Sequence, residues 1–333
     1  MTYDRATLER QIARATGARV VELGDRVQRL WGGYGEIRRA TIVAPTTAPV
    51  IVKHAVPPSS RTLTGAEARS HRRKLRSYQV ECAFYRVYAP RCDARCRVAA
   101  TLHAAVEGDR MLLVLEDLDA AGFGLRRDDL SEGELEACLC WLAEFHATFL
   151  DAQPDLLWKV GTYWHLTTRT DELRALHDPA LRRAAPVLDE QLNRARYRTL
   201  VHGDAKLPNF CFAGAGSAVA AVDFQYVGGG VGVKDVAYFL TSCRSPTQLE
   251  RDAESYVDVY FRELRRALQA RAAEHADWSG QAAWDLDALE AEWRALYPVA
   301  CADFYRFLLG WAGGVDARDA YLERVTRGVL ARS

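Results

Sequence analysis

Charge of one sign is missing from this sequence: 44 Lys and Arg balance 44 Asp and Glu over 333 residues, so the formal net charge is zero. Such a chain has no overall field to hold a polyanion, and no nucleic-acid partner is expected. Long uncharged apolar runs are missing too, which excludes a membrane-spanning helix and, with it, a membrane partner. No repeat and no low-complexity tract is evident. The opening residues MTYDRATLER are polar and charged and carry no secretory signal, so the expected compartment is the cytoplasm. Thiols stay reduced there, and the eight cysteines (82, 92, 96, 138, 140, 211, 243 and 301) are expected to be free structural thiols. Cys92 and Cys96 could share a metal by spacing, but no second Cys or His pair completes a zinc-like site.

What is present is ordinary globular material. Apolar residues are 49% and charged residues 26%, which excludes a disordered chain. The length suits one large domain or two sharing a cleft. From Val20 to about Ala55, short β-branched runs are divided by Gly32-Gly33-Tyr34-Gly35, Pro45 and Pro49, the texture of an antiparallel meander. A helical stretch follows from about Ala66 to Tyr88. Its aromatic face (Tyr78, Phe84 or Tyr85, Tyr88) includes one acid, Glu81, while Arg72, Arg73, Lys74 and Arg76 read as a solvated basic face. RVAATLHAAV and MLLVLEDL form a strand pair around Glu107-Gly108-Asp109. Beyond Leu118 the pattern turns helical, with LEACLCWLAEFHATFL as a central apolar helix and helices from Pro246 onward. The expected architecture is α+β, with a small antiparallel-sheet lobe over 1–118, a larger, mostly helical lobe over 119–333, and a cleft between them.

The informative segment is LVHGDAKLPNFCFAGAGSAVAAVDFQYVGGG, Leu200 to Gly230. FCF and AVAAVDF read as a hairpin around Ala213–Ser217. If Ala213 pairs with Ala218, Asn209 falls opposite Val222 and Asp223 lies one residue on, so Asn209 and Asp223 meet at one end of the hairpin. With Asp204 in the loop before them, two carboxylates and an amide oxygen converge. That is a hard oxygen site, suited to Mg²⁺ rather than zinc.

The order His202-Gly203-Asp204, Asn209, Asp223-Phe224-Gln225 matches that of protein-kinase-like enzymes. The chain resembles the aminoglycoside phosphotransferase and choline kinase superfamily. Glu-Cys-Ala-Phe-Tyr at 81–85 and the Asp-Phe-Gln look most like its ecdysteroid-kinase-like branch. The resemblance implies a two-lobed protein-kinase-like fold that moves the γ-phosphoryl of ATP to a small-molecule hydroxyl with Mg²⁺. In it Asp204 would be the catalytic base, and Asn209 and Asp223 would hold the metal. Lys53 would contact the α- and β-phosphates and Glu81 would fix Lys53. Gly33 and Gly35 would cover the phosphates, and main chain at Glu116, Asp117 and Leu118 would hold the base of the nucleotide. His202 would brace the loop, as would Asp235, and Lys206 would be either a contact to the transferring phosphoryl group or a solvated loop residue. The glycine loop lacks the third glycine of the protein-kinase pattern, and Gln225 replaces the usual glycine after Asp-Phe.

Two alternatives belong to other classes: a nucleotide-binding, pseudokinase-type regulator, and a protein Ser/Thr kinase. The complete residue set argues against the first. The His-Gly-Asp loop and the lack of an Ala-Pro-Glu segment argue against the second. Gly214-Ala215-Gly216 lacks both the third glycine and the following helix of a dinucleotide turn, and Asp235 stands where a P-loop ending at Lys234 needs Ser or Thr. The aromatic set Trp293, Tyr297, Phe304, Tyr305, Phe307 and Trp311 reads as helix core, with Pro298 breaking or kinking the helix. The sharper reading is a wall for a cationic acceptor, with Asp303 suiting its amine. Neither the acceptor nor the oligomeric state can be read from the sequence.

Overall fold

The structure, a computed structural model, describes residues 4–43, 47–58, 63–214, 218–274, 284–312 and 319–332. Helix α1 (Arg5–Thr16) leaves little trace in the sequence pattern, because only Leu8 and Ile12 of it are buried. Strands β1 (Val20–Arg29), β2 (Gly35–Val43) and β3 (Thr47–Ala55) follow, then helix α2 (Gly65–Ala83). Next come β4 (Arg97–Val98), β5 (Thr101–Glu107) and β6 (Arg110–Glu116). Five of these strands form one antiparallel sheet in the order β1-β2-β3-β6-β5, as the alternation of short β-branched runs with turn residues requires. Val50 and Val52 pack with Leu8 and Ile12 of α1 on one face. Side chains alternate along a strand, so Ile51 and Lys53 point to the other face.

The rest is mostly helical: α3 (Glu132–Thr148), α4 (Thr170–Ala175), α5 (Pro179–Asn193), the short strands β7 (Thr199–Val201), β8 (Phe210–Phe212), β9 (Val219–Ala221) and β10 (Gly228–Gly230), then α6 (Val233–Cys243), α7 (Pro246–Glu274), α8 (Leu286–Trp311) and α9 (Ala320–Leu330). This is the α+β, two-lobed architecture expected. Helix α3 starts at a capping box, with the Ser131 hydroxyl and the Glu134 carboxylate each taking the other's backbone N–H. Its buried Cys138, Trp141, Leu142 and Phe145 join the large core of the helical lobe. The cysteines among the described residues are free. Helix α8 runs through Pro298 without the break that is one of the two outcomes expected there; the helix is held by packing along its length, with Trp293, Val299 and Phe307 buried.

Two features tie the lobes together. Strand β4 pairs in parallel with β9, next to the β8–β9 hairpin. The basic face of α2 is also engaged rather than solvated, except at Arg72, which is exposed as expected. Arg73 donates to the Thr168 carbonyl at 3.0 Å and Arg76 to the Leu157 carbonyl at 2.9 Å. Arg69 pairs with Asp171, and Lys74 donates to Gln225 Oε1 at 3.0 Å. Residues 156–168 form no regular strand or α-helix, so their carbonyls need donors, and the guanidinium forks of α2 supply them.

Candidate functional site

Lys53 sits in β3 opposite Ile37 and Leu113. Lys53 is 6% exposed, and its ammonium lies 2.8 Å from Glu81 of α2 and 3.3 Å from Asp223. Burial works against the charge, but Asp223 and Glu81 outweigh it and hold Lys53 up at about 12. Burial raises Glu81. Glu67, the rival acid on α2, is exposed in the first turn. Three segments distant in the sequence therefore meet in one ion-paired cluster.

Asp223 reaches that cluster through its backbone. Ala213 N–H bonds the Ala218 carbonyl at 3.0 Å, and Val222 N–H bonds the Asn209 carbonyl at 3.0 Å, so the hairpin has the expected register. Its turn residues 215–217 lie outside the described residues. Asp223 then turns out of the hairpin at φ +70°, left-handed backbone that an Asp side chain tolerates better than most. Burial would raise its carboxyl, but Lys53, Lys74 and Lys206 hold it below the usual range. Phe224 beside it stacks on Phe84 at 3.9 Å between ring centroids. Gln225 Oε1 accepts from Lys74 and from the Ser77 hydroxyl. The segment after Asp223 is thereby locked to α2, as an amide in place of glycine allows.

The loop bearing Asp204 is held from below. Asp235, in the first turn of α6, accepts from the backbone N–H of His202 at 2.5 Å and of Gly203 at 2.9 Å. His146 Nε2 lies 3.1 Å from the same carboxylate, and its Nδ1 is 2.8 Å from the Tyr260 hydroxyl. His202 Nε2 faces the Val222 carbonyl at 3.1 Å, which can only accept, so the proton sits on Nε2 and Nδ1 takes the Asp204 N–H at 3.2 Å. Burial lowers the His202 pKa, consistent with this neutral form. Both histidines and Asp235 thus have their polar atoms engaged in holding the loop. Gly203 has φ +80°, and a Cβ there would stand 2.1 Å from the Tyr226 carbonyl. No side chain fits, which is why this loop reads His-Gly-Asp and not His-Arg-Asp.

Asp204 is buried. Burial pushes it up to about 7; Lys206 opposes this, and Asp223 adds to it. Lys206 Nζ is 3.2 Å from Asp204 Oδ2, so in this structure it attends the aspartate. Asn209 Nδ2 donates to the Asp204 carbonyl at 2.7 Å and to Oδ2 at 3.1 Å. With its nitrogen so committed, Asn209 Oδ1 is left as a hard acceptor beside an ionised Asp223. No cluster of three or more His, Cys, Asp or Glu that could hold a metal occurs among the described residues. The donor set is thus two oxygens, which fits an ion like Mg²⁺ that keeps waters and takes phosphate oxygens for the remainder.

The glycine turn lies between β1 and β2. A Cβ at Gly35 would stand 2.1 Å from the His54 carbonyl, so the strands touch there only because it is glycine, whereas Gly33 (φ +75°) faces open space. Tyr34 between them lies 2.5 Å from His71 of α2. At the connector the side chains are engaged elsewhere: Glu116 with Arg97, and Asp117 with Arg39. The Glu116 N–H donates to Ala100, and the carbonyls of Asp117 and Leu118 accept from Ala121 and Phe123. This leaves the Leu118 N–H as a donor with no partner among the described residues.

Residue patterns missed two groups. Lys74 lies seven residues before Glu81, two helical turns, and that spacing could have placed it beside the site. Tyr163, Tyr226 and Tyr238 gather at Asp204, with Tyr163 centroid distances of 5.9 Å to Tyr226 and 5.4 Å to Tyr238. No spacing announces them. Of the aromatic set on α8, Trp293, Tyr297, Phe304, Tyr305 and Phe307 are buried as helix core while Trp311 is exposed, and Asp303, wholly buried, is bound by Arg306 at 2.7 Å and so is engaged elsewhere than with an amine.

Among known proteins, the profile described as the ecdysteroid kinase-like family matches residues 46–157 and 155–272. No curated protein matches the chain. Solved structures similar to it include a microcompartment-associated aminopropanol kinase (12% identity, 98% of this chain and 95% of that one, TM-score 0.49). An ethanolamine kinase of Plasmodium vivax (10% identity, 98% and 94%, TM-score 0.48) is another. A third is an aminoglycoside phosphotransferase of Streptomyces rimosus in complex with ADP and streptomycin (14% identity, 88% and 97%, TM-score 0.45).

Proposed function

The chain belongs to the ecdysteroid kinase-like family, a kinase-like phosphotransferase family, and on that premise we propose that it moves the γ-phosphoryl of ATP to a hydroxyl of a small molecule. The observation that carries this is the Lys53 ammonium, buried between Glu81 and Asp223 at 2.8 and 3.3 Å, with Asp204 and Asn209 at the neighbouring end of the hairpin. The lobes divide at about residue 118, and ATP lies in the cleft between them.

In this reading Lys53, held by Glu81, neutralises the α- and β-phosphates. Gly33 and Gly35 let backbone approach the triphosphate, and main chain of Glu116 to Leu118 holds the base, with the Leu118 N–H as donor. Asn209 and Asp223 would hold Mg²⁺, which would supply charge neutralisation to the phosphates. Asp204 takes the proton from the acceptor hydroxyl. Its pKa near 7 matches that task, because a base works best when its pKa is close to the ambient pH. Lys206, 3.2 Å from Asp204, tunes it, and in this reading its ammonium also serves the transferring phosphoryl group.

The test is a metabolite extract incubated with protein, ATP and Mg²⁺ and read by mass for products heavier by one phosphate. Asp204→Ala should lose about 10²–10⁴-fold or more in turnover while nucleotide binding persists. Asp223→Ala should abolish the metal dependence of nucleotide binding. Normal turnover in the first variant would remove Asp204 as the base. Nucleotide affinity that still rises with metal in the second would remove the metal site. Nucleotide binding with no product across the extract would favour a pseudokinase-type regulator.

A further inference from the structure

Asp204 has a second flank, away from Lys53. Tyr238 of α6 interacts with Asp204 and with Tyr163. Tyr163 N–H donates to the Gly203 carbonyl at 3.0 Å, beside Asp204, and the neighbouring Tyr226 feels the acids Asp204 and Asp223 and the guanidiniums of Arg169 and Arg73. These guanidiniums face one carboxylate. Glu172 is taken by Arg169 at 3.0 Å, and the same guanidinium lies 5.6 Å from the Tyr163 ring centroid. Arg73, half-buried, donates to the Thr168 carbonyl and interacts with Tyr226. Among the described residues no carboxylate lies within 4 Å of it. Burial and the neighbouring Arg169 both work against its charge.

A half-buried guanidinium that shares its one facing carboxylate, Glu172, with Arg169 and has no carboxylate in contact is costly unless something negative comes to it. A cation entering here would meet Arg73 and Arg169. The acids it could use are committed: Asp204 to Lys206, Asp223 to Lys53, Glu172 to Arg169 and Asp303 to Arg306. The tyrosine rings offer flat apolar surface with hydroxyl tips. Resting on the transferase reading, we propose that the acceptor is an oxyanion-bearing alcohol with a flat or aromatic body. Its hydroxyl meets Asp204, its body lies along Tyr163 and Tyr226, and its carboxylate or similar group meets Arg73. Amino alcohols are disfavoured.

A matched trio tests this: 3-(hydroxymethyl)benzoate, benzene-1,3-dimethanol and 3-(aminomethyl)benzyl alcohol, which share a ring and a reacting hydroxymethyl but differ in charge. The carboxylate should have the highest kcat/KM, about tenfold or more above the amine, the size of one charge-assisted contact. Arg73→Gln should erase that advantage through KM, and Arg73→Lys should keep part of it. A residue that only ties α2 to the second lobe would lower all three acceptors alike, and that result overturns the proposal. So does preference for the amine, or an extract in which phosphorylated amines are the products while none of the trio reacts. An extract with no phosphorylated product at all instead removes the transferase reading itself.

Discussion

The two flanks of Asp204 are built differently. On the Lys53 flank opposite charges meet at contact distance, and each partner comes from a segment with a recognisable pattern: a strand, an aromatic helix face, a hairpin end. On the tyrosine flank Arg73 has no carboxylate in contact among the described residues, and the tyrosines come from a loop, a turn and a helix that share no spacing. In the proposed reading the triphosphate is a constant ligand and can be met by a fixed constellation. An acceptor is met by whatever the surrounding segments bring, so the second flank is where members of one fold can differ.

The largest effect should come from breaking the first flank. Lys53→Met keeps volume but removes the charge, and transfer should fall by about 10²–10³-fold, as for other single groups that stabilise developing charge. It also strands Glu81, which is 2% exposed. Removing one partner of a buried pair costs about 3–5 kcal/mol, so thermal stability should drop as well. Adding Glu81→Gln to Lys53→Met should recover most of the stability and none of the transfer. Recovery of both would mean that Lys53 serves the fold and not the nucleotide.

A smaller effect separates the flanks by pH. Asp204 must be ionised to act as a base, so kcat/KM should fall about tenfold per pH unit below an acid limb near pH 7. Lys206 holds Asp204 down, so Lys206→Met should move this limb to higher pH. A limb unmoved by that change would show that Lys206 does not act on Asp204 in solution.

How much of this was legible in the sequence follows from the same contrast. The hairpin register, and hence the meeting of Asn209 with Asp223, could be worked out because pairing Ala213 with Ala218 fixes every later pair. Glu81 could be chosen over Glu67 because helical spacing put it on the aromatic face. Helix α1 was not legible, since two buried residues make too weak a stripe. The ties from Arg69, Arg73 and Arg76 were not legible either. A basic helix face looks the same whether water or another segment's carbonyls receive it, and only tertiary placement decides. Asp303 misled for a related reason: its partner Arg306, one turn on, lies within reach in any helix, but its burial does not show in the spacing.

The smallest effect concerns stability, and its sign is opposite to that of Lys53→Met. The folded Asp204 has its pKa raised from 3.8 to about 7, so between these values the native state holds a proton that the unfolded state has lost. Stability therefore falls as pH rises through that window and stays lower above it. Asp204→Asn removes the titration and keeps an oxygen for Asn209. The variant should melt a few degrees above the parent at pH 8, and the gain should shrink as pH falls through the window toward 3.8, below which the parent's carboxyl is protonated in both states. An active-site carboxylate kept at a cost to the fold is the expected signature of a group retained for chemistry. A gain equal at both pH values would place its origin in packing instead, and a lower melting point at pH 8 would show that Asp204 is not held ionised against its burial.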